Sequence, residues 1–135
     1  MDRADLGFLL ARLLRRIQAG EEPILREAGL DMWGYVVMVG LDGSEAPTQA
    51  HLAERTGRDK TRLIRNLDRL EELGYVTRTP DPDDRRNRVV TLTTAGEKAL
   101  RTCRKQIAAM EQELLAALDA EERVAFETAL TKVVG

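Results

Sequence analysis

Histidine and cysteine are nearly absent from this chain, which has only His51 and Cys103. A zinc site needs three or four such ligands close together, and none can be assembled from this pair. A lone cysteine excludes an internal disulfide and suits a reducing compartment. There is no Ser-His-Asp set, phosphate-cradling glycine loop or metal motif, and one histidine leaves little acid-base chemistry, so no enzymatic activity, metal or cofactor is expected. Aromatic residues amount to only 4%, so a core must be built from Leu, Val, Ile and Ala. Long uncharged apolar runs are missing, and the N-terminus lacks a signal-peptide pattern. The expectation is a soluble, cytoplasmic protein with no membrane association.

What the chain does have is charge. Of its 135 residues 33% are charged and 43% hydrophobic, with a formal net charge of -2. By length this is one domain, with room for an appended oligomerisation element. The overall acidity conceals an uneven distribution. Residues 58 to 88 hold nine Lys or Arg against seven Asp or Glu, and within 58 to 69 the ratio is five to two. A basic surplus confined to one segment points to a polyanion-binding element.

Periodicity places the elements. Leu6, Leu9, Leu10, Leu13, Leu14 and Ile17 form a wide helical stripe over residues 4 to 18, with Arg12, Arg15 and Arg16 opposite. Gly20 and Pro23 predict a kink or break near 19 to 23, a short continuation to Ala28, and a stop at Gly29. Asp31 is a predicted N-cap for an apolar helix from Met32 to Leu41, expected to be buried and central. A loop spans 42 to 47. Thr48 caps a short helix ending near Gly57, and a second helix, about 59 to 73, turns Leu63, Ile64, Leu67 and Leu70 inward. Gly74 is the C-cap, Tyr75 to Thr79 a strand, and Val89 to Leu92 the return strand. Thr93 or Thr94 opens a long helix, Thr94 with Glu97 being a candidate capping box. Within it Leu100, Cys103, Ile107, Met110 and Leu114 make a narrow seam. Asp119 and Glu122 form a second capping-box pattern before a last helix with Val124, Phe126, Leu130 and Val133.

The fold expected is mainly α with a small antiparallel β-hairpin wing: a winged helix-turn-helix between N- and C-terminal dimerisation helices. The segments divide as 1–30, 31–96 and 97–135. A tight turn containing glycine, followed by a longer basic helix, is helix-turn-helix grammar. Reading DNA requires donors on the exposed face near that helix's N-terminus, and Lys60, Thr61, Arg62, Arg65 and Asn66 supply them; arginine suits guanine and asparagine suits adenine. The loop Asp81 to Arg88 mixes three Asp with three Arg, stiffened by Pro80 and Pro82, and its acidic residues are expected to hold neighbouring arginines in fixed directions. Arg86 is the candidate tip contact in a minor groove, with Arg85 or Arg88 on phosphate. With Thr48, these nine residues are the candidate DNA-binding set. A plain solvated helix face and loop is the competing reading.

Residues 48 to 96 resemble the multiple-antibiotic-resistance regulator (MarR) family of winged-helix transcription factors. The resemblance rests on Thr48-Gln49, on Leu52-Ala53-Glu54-Arg55-Thr56-Gly57, and on Leu67-Asp68-Arg69-Leu70-Glu71-Glu72-Leu73-Gly74-Tyr75-Val76. It continues through the wing Asp81-Pro82-Asp83-Asp84-Arg85-Arg86 and Leu92-Thr93-Thr94-Ala95-Gly96. It implies a homodimer on double-stranded, pseudo-palindromic operator DNA, commonly repressing transcription until a small molecule or oxidant intervenes. It also implies recognition-helix contacts at Lys60, Thr61, Arg62, Arg65 and Asn66, and a wing arginine at Arg86. The second helix departs from the family by starting Arg58-Asp59-Lys60, where small hydroxyl residues are more usual.

Dimerisation is expected on separate grounds. The terminal helices carry apolar stripes that so short a chain would struggle to cover, and two-fold pairing would place two reading helices about 34 Å apart, one DNA turn. Trp33, Tyr35 and Met38, with Met32 and Met110, are candidate walls of a pocket for a small aromatic or phenolic effector, with His51 a candidate donor; ordinary core packing competes for each. Cys103, on the apolar seam, is expected to pack as a small hydrophobe. The rival function is a winged-helix dimer used as a protein-interaction scaffold without specific DNA binding.

Overall fold

The computed structural model describes residues 5–43 and 46–135. Along them run α1 (Leu6–Glu27), α2 (Met32–Leu41), α3 (Gln49–Thr56), α4 (Lys60–Glu72), β1 (Val76–Pro80), β2 (Arg88–Leu92), α5 (Thr94–Leu114) and α6 (Ala120–Val134). The two strands form one antiparallel hairpin, with Val76 opposite Leu92 and Pro80 opposite Arg88. This is the expected class, mostly helical with a wing. Ser44 and Glu45, within the expected loop, lie outside the described residues, as does residue 4.

Most helix starts are set locally. Asp31, Thr48, Asp59 and Asp119 each accept a hydrogen bond from the backbone N–H three residues on, satisfying a donor the helix itself cannot. At Asp119 the box closes in both directions through Glu122. The box expected at Thr94 does not form. The cap is Thr93, whose hydroxyl accepts from Gly96 N at 3.0 Å and donates to the Gly74 carbonyl at 2.6 Å. A cap that also bridges to the root of the hairpin is bonded on two sides, and Gly96 at the third helical position has no side chain to reach back.

The break expected near residue 20 is also absent, since α1 runs unbroken through Gly20 and Pro23. Both residues have a place. A Cβ at Gly20 would fall 2.6 Å from Met110 Sδ, so the glycine lets α1 approach α5. Pro23 removes a bond to the Ala19 carbonyl, but both residues are exposed and water can serve that carbonyl. Burial of Leu25 against the core holds the far side. The helix does stop where expected, with Gly29 at φ 79°.

The core takes Leu25 from α1, Val37, Met38 and Leu41 from α2, Leu52 from α3, and Leu63, Leu67 and Leu70 from α4. Val76 and Val90 come from the wing, and Leu100, Cys103 and Ile107 from α5. α6 contributes nothing and buries none of its residues. Gly96 is the tightest joint: a Cβ there would lie 2.1 Å from the Tyr75 carbonyl oxygen, so only glycine lets α5 leave the hairpin at this angle. Among the described residues no helix is long and apolar enough to cross a membrane.

Candidate nucleic-acid interface

The turn between α3 and α4 is built by Gly57, in the left-handed region at φ 69°, which lets the Arg58 N–H return to the Ala53 carbonyl at 3.1 Å. Asp59 then opens α4. Its carboxylate accepts from the Arg62 amide at 3.0 Å and faces the Arg62 guanidinium at 3.3 Å. Both side chains are mostly exposed, so this pair aims Arg62 and adds little stability.

Lys60, Thr61, Arg62 and Arg65 all stand exposed in the first two turns of α4, with Thr61, Arg62 and Arg65 turned away from Leu63, Leu67 and Leu70 and Lys60 above them at the helix's open end. Asn66 lies on the flank, half-buried, its Oδ1 accepting from Arg58 Nε at 3.1 Å. Thr48 is half-buried with its hydroxyl engaged as the α3 cap, accepting from His51 N at 3.2 Å, and it forms a single bridge to Val89 of the wing.

The wing is held at its root by an arginine. Arg78, which the sequence reading does not single out, shares the inward face of β1 with Val76. Its guanidinium reaches Asp68 at 2.6 Å and Glu71 at 2.7 Å, both on α4, with Gln49 Oε1 of α3 at the long distance of 3.5 Å. The Arg78 side chain is only 14% exposed. Burial works to lower its pKa, but the hydrogen bonds and charges of Glu71 and Asp68 outweigh it, and the net direction is upward. A permanently charged clasp therefore locks the hairpin onto α4. The alternation of β1, with Thr77 and Thr79 exposed on either side, was the available signal.

At the tip the acidic residues do something other than expected. Asp81 accepts from the Asp83 amide at 2.9 Å, and Asp84 from the Arg86 amide at 3.1 Å and the Asn87 side chain at 3.4 Å. A short carboxylate reaches the N–H two residues on more readily than a long guanidinium, so these residues shape the loop backbone. Arg85, Arg86 and Arg88 are exposed, and among the described residues none forms an ion pair.

The four candidate effector residues face different surroundings. Met38 is wholly buried in the core and His51 is exposed on α3. Trp33 lies beneath the Arg58 guanidinium, 4.0 Å from carbon to ring centroid. Tyr35 is half-buried near Arg104, and burial pushes its hydroxyl pKa up against the opposing pull of that cation. A cavity of about 370 Å³ instead opens between α1 and α2, with Leu25, Leu30 and Met32 on its walls and Glu22, Arg26 and Asp31 at its rim. Cys103 is buried at 1% exposure, and desolvation pushes its thiol pKa up, away from the reactive thiolate. Among the described residues no cluster of His, Cys, Asp or Glu suits a metal ion.

Comparison with known proteins adds to this geometry. Residues 33–87 match a family model described as MarR family. The chain is 31% identical over 130 residues to the multiple antibiotic resistance protein MarR of Escherichia coli (strain K12), covering 93% of this chain and 90% of that one. The crystal structure of a cysteine-to-serine mutant of MarR from E. coli complexed with operator DNA superposes with a TM-score of 0.81 at 27% identity, covering 98% of this chain and all of that one. A transcriptional repressor, CouR, bound to a 23-mer DNA duplex, superposes at 0.86 with 26% identity, covering 97% and 93%.

Proposed function

This chain belongs to the MarR family of transcriptional regulators, and we propose that it is a sequence-specific, homodimeric repressor that binds a pseudo-palindromic operator. The observation that carries the proposal is the distribution of cations. Four exposed hydrogen-bonding side chains, Lys60, Thr61, Arg62 and Arg65, crowd the first two turns of α4, while among the described residues three exposed wing arginines have no carboxylate on their side chains. The Arg78 clasp holds these two groups in a fixed relation. In this reading Lys60, Thr61, Arg62 and Arg65 face the major groove, Arg86 enters a flanking minor groove, and Arg85 and Arg88 contact phosphate. Thr48 orders the helix that crosses the backbone.

Residues 1–30 and 97–135 serve as dimerisation segments around the reading body of 31–96. Exposed Leu6, Phe8, Leu9, Leu10 and Leu14 on α1, with Val124, Leu130, Val133 and Val134 on α6, support this, because apolar area of that extent is stabilised by burial against a second copy. The relatives crystallised with DNA support the operator. Modulation by a small aromatic or phenolic effector is part of the proposal, with the cavity between α1 and α2 of suitable volume.

Selection of bound fragments from the source genome, followed by anisotropy titration, tests it. One or a few inverted repeats should be enriched, bound by two copies, with affinity falling steeply as salt rises. Failure to retain any fragment at low ionic strength would leave the scaffold reading in its place.

A further inference from the structure

Arg58 is a basic residue of the helix-turn-helix that has no role in the proposed contacts. It sits in the turn between α3 and α4, half-buried, and among the described residues no carboxylate pairs with it. Its guanidinium lies 4.0 Å from the Trp33 ring centroid, and its Nε donates to Asn66 Oδ1 at 3.1 Å. One side chain thus joins the outer face of α2, the turn, and the second turn of α4. The aromatic face holds the cation in place from below.

The chemistry of this contact orients Asn66. A guanidinium has donors and no acceptor, so the amide must turn its oxygen toward Arg58. The Nδ2 hydrogens are what remains to be offered. An unrestrained asparagine can rotate its amide by half a turn and present either end to a base edge. The same residue held by Arg58 presents a donor.

We propose that Arg58 is a positioning residue for operator recognition: seated on Trp33, it locks the Asn66 amide so that Nδ2 donates to an acceptor edge, purine N7 or O6 or thymine O4, and rejects the amino group of cytosine. The inference deepens the DNA-reading assignment and rests on it. Arg58 itself touches no base.

The test has a DNA-free arm and a DNA arm. Trp33 is the only tryptophan, so its emission reports the clamp directly. In folded Arg58→Ala the ring should become more accessible to acrylamide quenching. In the second arm, the selected operator and single-position variants of it are titrated with the parent, Arg58→Ala, Asn66→Ala and the double variant. Arg58→Ala should lower discrimination against cytosine at one position of each half-site by about tenfold, with affinity for a random duplex unchanged. Asn66→Ala should do the same, and the double variant no more than Asn66→Ala alone. Trp33→Phe, which keeps a ring under the guanidinium, should preserve the discrimination that Trp33→Ala loses.

Additive losses in the double variant would show Arg58 contacting DNA on its own account and overturn the positioning role. Unchanged quenching in Arg58→Ala, or unchanged discrimination in every variant, would overturn it as well. In those cases, loss of binding by Arg65→Ala and Arg86→Ala in the same assay would leave the DNA-reading assignment standing. A parent protein that selects no duplex would sink both. Should Arg58→Ala fail to fold, Asn66→Ala and the contrast between Trp33→Ala and Trp33→Phe decide the question.

Discussion

Leu67 on α4 and Leu130 on α6 both lie on apolar stripes of capped helices, yet Leu67 is completely buried and Leu130 is 40% exposed. The same contrast runs through the regions they represent. Between α2 and the middle of α5, apolar side chains close on one another and Arg78 finds its carboxylates within the chain. Along the first half of α1 and the whole of α6, Leu6, Phe8, Leu14, Val124 and Val133 stay exposed among the described residues, Phe8 with only the Arg12 guanidinium over its ring. An apolar stripe states that a helix wants a neighbour; whether the neighbour belongs to the same chain is a separate matter. The central body is complete as one copy, and the terminal arms fit the proposed second copy.

Substitutions can sharpen or break this contrast. The largest effect is expected in the core, where Leu67→Ala should lower unfolding free energy by about 4 kcal/mol in denaturant titration, while Leu130→Ala should change it by less than about 1 kcal/mol at concentrations too low for association. Equal losses would mean that α6 is closed within one copy. Gly96→Ala comes next, because a methyl 2.1 Å from the Tyr75 carbonyl forces the hairpin and α5 apart. About 3 kcal/mol should be lost, and operator binding with it.

Leu9→Asp combined with Val133→Asp should weaken self-association on the order of a hundredfold in sedimentation, from charges buried without partners, leaving the far-ultraviolet dichroism of the body intact. A dimer that survives this pair would place the interface elsewhere. Arg86→Ala should cost about tenfold in operator affinity and lower the salt dependence, with stability untouched, because among the described residues its side chain has no ion-pair partner. The smallest effect is expected at Cys103. Burial keeps its thiol protonated at neutral pH, so it should alkylate far more slowly in the native than in the unfolded protein, and peroxide treatment should leave DNA affinity the same in Cys103→Ser and parent.

Much of this was legible in the sequence because the signals are local. A cap needs only an oxygen three residues before an amide, so Asp31, Asp119 and Thr48 could be recognised on sight. The family motif ending in Gly96 was equally plain, although the reason for its glycine emerged only when Tyr75 was found against it. Other features were out of reach. Pro23 read as a kink or break because its own lost hydrogen bond is visible, whereas the core that keeps α1 continuous is not. The wing carboxylates read as guides for arginines, and they proved to be bonded to backbone amides.

By itself, the sequence determined the order of helices and strands, the caps at Asp31, Thr48 and Asp119, the basic surplus between residues 58 and 88, and the class of protein, since these depend on residues a few positions apart. Only the tertiary structure decided which cations are committed and which are free. Arg78 is held by Asp68 and Glu71, Arg58 by Trp33 and Asn66, and Arg86 by neither. All three are arginines in the same basic stretch; what separates them is desolvation and the partners that folding brings within hydrogen-bond reach, and neither is a property of the chain before it folds.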